Sequence, residues 1–151
     1  MNSFKLTLLV FLFTGFNCFA QSEAAVVKAV IDQMFDGMRK GDSALVHKVF
    51  IDEVKMETIV TSANGEGQLR TSSLSSFLQA VGTPHDEVWD ERLLDYQITI
   101  EGAMASVWTP YEFYRGEAFS HCGVNSFQLA KLSGEWKIIY LVDTRRREGC
   151  K

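Results

Sequence analysis

The hydrophobic period changes part-way along the chain, and this change constrains the fold more than any other feature of its 151 residues. In most of the chain before Pro84, apolar residues recur every three or four positions, as in an amphipathic helix. After Leu93, apolar and polar residues alternate, as in a β-strand. Helices first and antiparallel strands afterwards predict an α+β domain in which a curved sheet wraps around three N-terminal helices. Such a sheet encloses a space between its inner face and the helices.

Three helices are predicted, each with a start signal. Ser22 can cap the first helix and Gly41 can end it. Asp42 caps a short second helix, and Ser72 or Ser73 begins the third. The first helix carries the clearest apolar stripe, formed by Val27, Val30, Ile31, Met34, Phe35 and Met38.

The strand pattern begins between the second and third helices. Val54–Thr61 predicts a strand, and Asn64-Gly65 predicts the tight turn of a hairpin after it. Four further strands follow Leu93 and are separated by Gly-containing turns. Their alternating segments are Tyr96–Ile100, Ala103–Tyr114, Ala118–Leu132 and Glu135–Thr144.

The first twenty residues have the pattern of a signal peptide. Lys5 is followed by the apolar run Leu6–Phe16, which is short for a membrane span. Cys18 and Ala20 are small residues at the positions that signal peptidase reads. Cleavage after Ala20 leaves a domain of residues 21–151 and predicts an exported protein, periplasmic or secreted, with no membrane contact after cleavage. The alternatives are a buried helix or membrane anchor, or a lipid anchor at Cys18.

Charge and cysteine content exclude some classes of function. The net charge of −4 argues against nucleic acid as a partner, because the only basic run is Arg145–Arg147. After signal cleavage, Cys122 and Cys150 are the two remaining thiols. In an oxidising compartment they can form a disulfide that closes a 28-residue loop; the alternative is two free, buried thiols.

The stretch Ser120–Phe127, SHCGVNSF, places polar residues within a predicted strand. His121 and Cys122 are neighbours and point to opposite faces, so the pattern does not favour a Cys–His catalytic pair. With three histidines in the chain and no clustered ligands, it does not favour a metal site either. The face that holds Phe119, His121, Asn125, Phe127 and Leu129 is mainly apolar. His121 and Asn125 are therefore predicted either to meet a ligand in an internal pocket or to bond to other protein groups.

Aromatic residues are numerous for so small a domain and could line a pocket that stacks a flat heterocycle; the alternative is ordinary packing in the core or at an interface. They are Trp89, Trp108, Tyr111, Phe113, Tyr114 and Tyr140. The last strand is apolar on both faces, with Trp136, Ile138, Tyr140 and Val142 assigned to one face and Ile139 and Leu141 to the other. This pattern predicts a homodimer through the outer sheet face, unless the tail covers it.

The order of elements and the ending GEWKIIYLVDTRR resemble the nuclear transport factor two-like superfamily, which includes ketosteroid isomerases and SnoaL-like cyclases. The segment from Tyr111 to Cys150 is similar to a group of exported bacterial proteins named "putative lumazine-binding". The resemblance implies a cone with an internal pocket. At the position of the isomerases' aspartate base it places Thr58, next to Glu57, which points to the other face.

The sequence thus predicts an exported, non-catalytic protein that binds a small organic ligand and needs no cofactor or metal. The predicted ligand-binding residues are His121, Asn125, Trp108, Tyr111, Tyr114, Phe127 and Tyr140. The alternative is a metal-independent acid–base enzyme, an isomerase, cyclase or hydro-lyase, with His121 as proton carrier and Tyr111 or Tyr114 as hydrogen-bond donor. A third possibility is an interaction module with a filled core. Asp143 is either an acid at the mouth of the cone or an ion-pair partner of the basic run.

Overall fold

A computed structural model describes residues 22–62 and 64–150. The predicted signal peptide lies outside these residues. The elements in chain order are α1 (Glu23–Lys40), α2 (Ser43–His47), β1 (Phe50–Thr61), β2 (Gly67–Ser72), α3 (Leu74–Gly82), β3 (Trp89–Leu93), β4 (Gln97–Glu101), β5 (Met104–Arg115), β6 (Ala118–Leu132) and β7 (Glu135–Arg146). In the part of the chain described, no helix is both long enough and apolar enough to cross a bilayer.

The predicted helix starts are confirmed by their capping hydrogen bonds. The hydroxyl of Ser22 accepts from the Ala25 amide, and the carboxylate of Asp42 accepts from the Leu45 amide. Ser73, rather than Ser72, caps α3. Gly41 ends α1 in the left-handed conformation at φ 66°, which glycine adopts without strain.

The strands form one curved, open sheet in the order β2-β1-β7-β6-β5-β3, and β4 also pairs with β5. The α+β cone predicted from the sequence is confirmed. The sheet is mixed rather than purely antiparallel, because β1 lies parallel to β7. Strand β1 begins at Phe50, four residues before the predicted start, and β3 was not predicted as a strand.

The apolar stripe of α1 packs on the inner face of the sheet. Val27, Ile31, Met34 and Phe35 are buried there, and the Phe35 ring meets Phe127 edge to face at 6.2 Å between centroids. The helices cover only part of this face, so a cavity remains between α1, α3 and the sheet.

Two bulges change which side chains face inward. In β7, Ile138 pairs with Leu129 and Tyr140 pairs with Gln128, so Ile139 is the extra residue. Trp136 and Ile138 therefore face inward, but Tyr140 and Val142 turn outward, so the assignment of all four to one face is wrong. A second bulge, in β6, places the Phe119 side chain beside Tyr114 on the outer face of the sheet, although alternation had assigned Phe119 to the same face as His121.

Cys122 and Cys150 form the disulfide that the sequence left as one of two alternatives. The bond joins β6 to the tail after β7, across a separation of 28 residues. Closing a loop of this length restricts the unfolded chain and contributes about 3 kcal/mol in the chain-entropy description.

We expect the double substitution C122A/C150A to lower the free energy of unfolding by about 3 kcal/mol, because the unfolded chain regains the freedom of the open loop. Urea unfolding of the oxidised wild type and of the variant measures the difference. A reducing agent should bring the wild type to the stability of the variant and leave the variant unchanged. Equal stability of oxidised wild type and variant would contradict the prediction.

Candidate functional site

The candidate site is a cavity of about 250 Å³ between the helices and the inner face of the sheet. One side is apolar and the other, toward the open end of the cone, is polar. The apolar wall consists of Met34, Phe35, Met38, Met56, Phe77, Trp89, Phe113 and Leu141. The polar wall consists of Thr58, Ser72, Glu91, His121, Asn125, Asp143 and Arg145, with Arg115 at the mouth. Glu57 also borders the cavity, although its carboxylate accepts from Tyr140. A mainly apolar hollow with a few converging polar groups is typical of small-molecule sites.

Three methionines contribute flexible apolar surface to the wall. Met34 and Met38 lie one turn apart on α1, and Met56 faces them from β1. Methionine adapts its unbranched side chain to irregular shapes and contacts aromatic rings favourably. The wall can therefore adjust to a planar ligand without a change in the backbone.

Asp143 is the centre of one polar network. Its carboxylate accepts from the Thr58 hydroxyl at 2.5 Å and from Arg145 Nε at 2.8 Å. The Tyr111 hydroxyl lies 3.3 Å from the same carboxylate and 3.0 Å from the carbonyl oxygen of Thr144. Burial, together with the nearby charges of Glu91 and Asp143, raises the pKa of Tyr111, so its hydroxyl remains a neutral donor.

Glu91 and Asn125 form a second polar pair, carried by β3 and β6. The amide nitrogen Nδ2 of Asn125 donates to Glu91 Oε1 at 2.6 Å. Burial raises the pKa of Glu91 to about 8; the hydrogen bond from Asn125 lowers it, and the charge of Asp143 raises it. Near neutral pH, Glu91 is therefore mainly a protonated acid that can donate a hydrogen bond.

His121 lies at the polar end, next to the mouth. Its ring is 4.9 Å from that of Phe113 and meets Tyr111 edge-on at 5.8 Å between centroids. Nδ1 is 3.1 Å from the Ser120 hydroxyl. Burial lowers the pKa of His121 and the positive charge of Arg145 lowers it further, which favours the neutral imidazole.

A close approach at Gly123 allows Tyr111 to reach the Asp143 network. Gly123 pairs with Tyr111 across β5 and β6 and with Arg145 across β6 and β7. A Cβ atom at Gly123 would lie 1.8 Å from the Thr144 carbonyl oxygen and 2.9 Å from the Tyr111 ring. The glycine is therefore part of the site's construction.

The structure brings only some of the predicted site residues to the cavity. His121 and Asn125 line it, and the buried Tyr111 lies behind it and contributes its hydroxyl to the network. Phe127 is completely buried in the core against α1. The predicted cavity positions of the remaining three need correction: strand alternation and the bulge at Ile139 place Trp108, Tyr114 and Tyr140 on the outer face.

The outer-face aromatics have partners of their own. The Tyr140 hydroxyl donates to Glu57 at 2.6 Å, and the Tyr114 hydroxyl donates to Glu112 at 2.9 Å. Trp108 is 48% exposed at the centre of β5. Tyr114 is therefore not placed to donate to a ligand in the cavity.

Sequence reasoning missed Glu91 because β3 was not recognised. The segment WDERL alternates, with Trp89, Glu91 and Leu93 on one side and Asp90 and Arg92 on the other. An acidic residue between two apolar residues on one face is the signal that could have identified it. Of the two roles considered for Asp143, the structure shows the ion pair with Arg145, while Asp143 also lines the cavity.

Among residues 22–62 and 64–150, no cluster of three histidine, cysteine or acidic side chains could hold a metal ion. The side chains that line the cavity can offer hydrogen bonds and apolar contact to a ligand.

Solved structures of similar fold come from several bacteria. An NTF2-like protein of unknown function from Shewanella baltica has a TM-score of 0.63 and 15% identity, covering 83% of this chain and 95% of that chain. An NTF2-like protein from Cytophaga hutchinsonii has a TM-score of 0.66 and 15% identity, covering 83% and 100%. A third, from Novosphingobium aromaticivorans, described as NTF2-like with a cystatin-like fold, has a TM-score of 0.66 and 10% identity, covering 85% and 84%. At these identities the similarity shows the fold alone.

No curated protein matches the chain significantly. A family model does match: the one described as "Putative lumazine-binding" aligns with residues 22–142, which include every helix and all of the sheet except the end of β7. The superfamily predicted from the sequence is thus confirmed by fold and family together. The chain belongs to the family described as "Putative lumazine-binding", within the NTF2-like superfamily.

Proposed function

We propose that this protein binds a small, partly aromatic heterocycle in the cavity and does not transform it. The observation that carries the proposal is the pair formed by Asn125 and Glu91 at the end of an apolar hollow. The protonated acid offers a donor, and the Asn125 side-chain oxygen Oδ1 is an acceptor beside it. A lactam or imide edge presents the complementary pair, and a flat ring behind that edge suits the methionine and aromatic wall. The family description supports a ring system of the lumazine type.

The first test is the binding of lumazine itself, which is monitored through the intrinsic fluorescence of lumazine. Asn125→Leu removes the amide while keeping a similar volume, and it leaves Glu91 without its partner. We expect affinity to fall tenfold to a hundredfold, about 1.4–2.8 kcal/mol. Gln128→Leu, an amide on the outer face of the same strand, is the matched control and should bind as the wild type does. Unchanged affinity in Asn125→Leu would refute the proposed site.

An acid–base enzyme is the second candidate, and a specific observation favours it. Glu91 keeps its proton near neutral pH while the carboxylate of Asp143 accepts hydrogen bonds in the same cavity, so a proton donor and a proton acceptor converge there. His121, the proton carrier predicted from the sequence, lies at the mouth as a neutral imidazole.

Deuterium exchange distinguishes the two candidates. Exchange of the 7-methyl protons of 6,7-dimethyllumazine with D₂O can be followed by NMR, because loss of such a proton gives an anion that the ring stabilises. An acid–base enzyme should accelerate the exchange a hundredfold or more, and Glu91→Gln or His121→Ala should abolish the acceleration. A binding protein should leave the exchange rate within a few-fold of the rate in buffer.

A homodimer through the outer sheet face is also proposed, supported by the exposure of Trp108 there. Large aromatic side chains dominate the energy of many interfaces. We expect Trp108→Lys to weaken dimerisation at least tenfold, about 1.4 kcal/mol, as measured by light scattering across a dilution series. Val88→Lys, at an exposed position in the loop between α3 and β3 on the side of α1, should leave the association unchanged. A wild type that stays monomeric at all concentrations would rule the dimer out.

Export to an oxidising compartment is proposed on two grounds, the signal-like sequence of residues 1–20 and the disulfide between Cys122 and Cys150. The mass of the protein recovered after expression with its full N-terminus tests it. Export predicts a chain that begins at Gln21 and is two hydrogens lighter than its reduced form. A full-length, reduced chain would contradict it.

A further inference from the structure

A second hollow of about 430 Å³, the outer chamber, adjoins the cavity and has a strongly basic lining. The chamber is lined by Thr61, Arg115, Ser120, His121 and Arg145–Arg147. These residues come from the ends of β1, β5 and β7 and the beginning of β6. Four arginines at one opening are unusual in a chain whose net charge is −4.

The chamber and the inner cavity share part of their lining. Arg115, His121 and Arg145 line both spaces. A ligand whose ring occupies the inner cavity would therefore extend a substituent directly between the guanidinium groups. The chamber adds the hydroxyls of Thr61 and Ser120 as neutral hydrogen-bond partners.

Two of the four arginines have guanidinium groups available to a ligand. Arg145 is paired with Asp143 at 2.8 Å, and Arg146 donates to the carbonyl oxygens of Glu148 and Gly149. Arg115 and Arg147 form no ion pair with any residue in the described part of the chain, although Glu87 shares an adjoining hollow with both. Both are exposed at the rim.

The disulfide helps to place this charge. Arg147 belongs to the tail between β7 and Cys150, and the bond from Cys150 to Cys122 ties that tail to β6 beside His121. Arg145 and Arg147 are each close enough to His121 to lower its pKa after the larger effect of burial. The positive charges therefore converge on the mouth rather than spreading over the surface.

We propose that the natural ligand carries a carboxylate or phosphate group, which Arg115 and Arg147 hold in this outer chamber while its ring lies in the inner cavity. Guanidinium groups bind such oxyanions through paired, charge-assisted hydrogen bonds. This inference rests on the proposed binding function and specifies the class of ligand.

The test compares lumazine with lumazine-6-carboxylate in low-salt buffer. We expect the carboxylate to bind at least tenfold more tightly than lumazine, and the difference to shrink at high salt because ions screen exposed charges. In Arg115→Gln/Arg147→Gln the two probes should bind within twofold of each other. The control Lys40→Gln/Lys48→Gln removes the same charge from exposed positions that line neither space and should keep the tenfold preference. Equal melting temperatures confirm that the variants are folded.

Inorganic phosphate tests the anion subsite independently of the ring. It should compete with lumazine-6-carboxylate and leave lumazine bound. Equal affinity of the two probes would overturn the proposal that the ligand carries an anionic group, and so would a preference for the carboxylate that survives Arg115→Gln/Arg147→Gln. In either case the heterocycle proposal stands. If neither probe binds but NMR shows phosphate binding that the arginine variant loses, the ring class is wrong and the anion subsite is supported. If phosphate does not bind either, both proposals fail.

Discussion

Gly123→Ala should destabilise the protein by about 4 kcal/mol or more, at the upper end of the effects of point substitutions. The added Cβ atom would lie 1.8 Å from the carbonyl oxygen of Thr144. Because that oxygen belongs to the backbone of β7, the conflict cannot be relieved by rotating a side chain, and β6 and β7 must separate. Urea unfolding measures the loss.

The same substitution should disrupt the site, because the Tyr111 ring would lie 2.9 Å from the new Cβ atom. Displacing the ring removes the hydroxyl from Asp143 and from the Thr144 carbonyl. Gly67→Ala is the matched control: the nearest atom to its Cβ would be a methyl group of Ile59 at 3.4 Å, and we expect a change within about 0.5 kcal/mol. A loss below 1 kcal/mol in Gly123→Ala would show that the strands adjust and that the close approach is not required.

Glu91→Gln should stabilise the protein at pH 9 by about 4 kcal/mol more than it does at pH 5. The pKa of Glu91 is about 8 in the folded chain and near 4.5 when the chain is unfolded. Between these values the folded state holds a proton that the unfolded state has released, so this group's contribution to wild-type stability falls as pH rises. Glutamine resembles the protonated acid, keeps an acceptor for Asn125 and does not titrate.

The measurement is the free energy of unfolding of both proteins at pH 5, 7 and 9, with the difference between them as the readout. At pH 5 the folded wild type already carries the neutral acid, so the two proteins should be similar. The control Glu53→Gln removes a carboxylate at an exposed position of β1 and should show no comparable rise in stability between pH 5 and pH 9. A Glu91→Gln difference that is constant across this range would mean that Glu91 ionises in the cavity as it does in water.

The two polar networks also explain why fold similarity does not settle the chemistry of this cavity. Thr58 occupies the position that the resemblance to ketosteroid isomerases assigned to the catalytic base, and its hydroxyl donates to Asp143. Glu57, its acidic neighbour, faces outward and accepts from Tyr140. The carboxyl groups that reach into the cavity are instead those of Glu91 on β3 and Asp143 on β7. These groups, rather than the fold, determine the chemistry available in the cavity.

Local features of the fold were predictable because their causes are local. Ser22, Asp42 and Gly41 act on backbone groups within four residues of themselves, so the helix boundaries can be predicted from neighbouring residues in the sequence. The inward direction of His121 and Asn125 followed from alternation along β6. The disulfide was one of two alternatives, because Cys122 and Cys150 are the two thiols outside the predicted signal peptide.

Features that depend on distant segments were not predictable in this way. The parallel pairing of β1 with β7 joins residues more than eighty positions apart, and no local pattern specifies it. The bulge at Ile139 reverses the inward and outward faces, so Tyr140 turned outward although the alternation itself was read correctly. Glu91 reached the cavity because β3 pairs with the end of β5.

The sequence by itself determined the helices, most of the strands, the α+β class and two of the side chains at the polar end, since periodicity and capping are properties of adjacent residues. Only the tertiary structure decided which carboxyl groups share the cavity and which aromatic residues lie outside it. The physical reason is that a one-residue bulge changes the face of every residue that follows, and that the pKa of Glu91 depends on burial by segments distant in the chain.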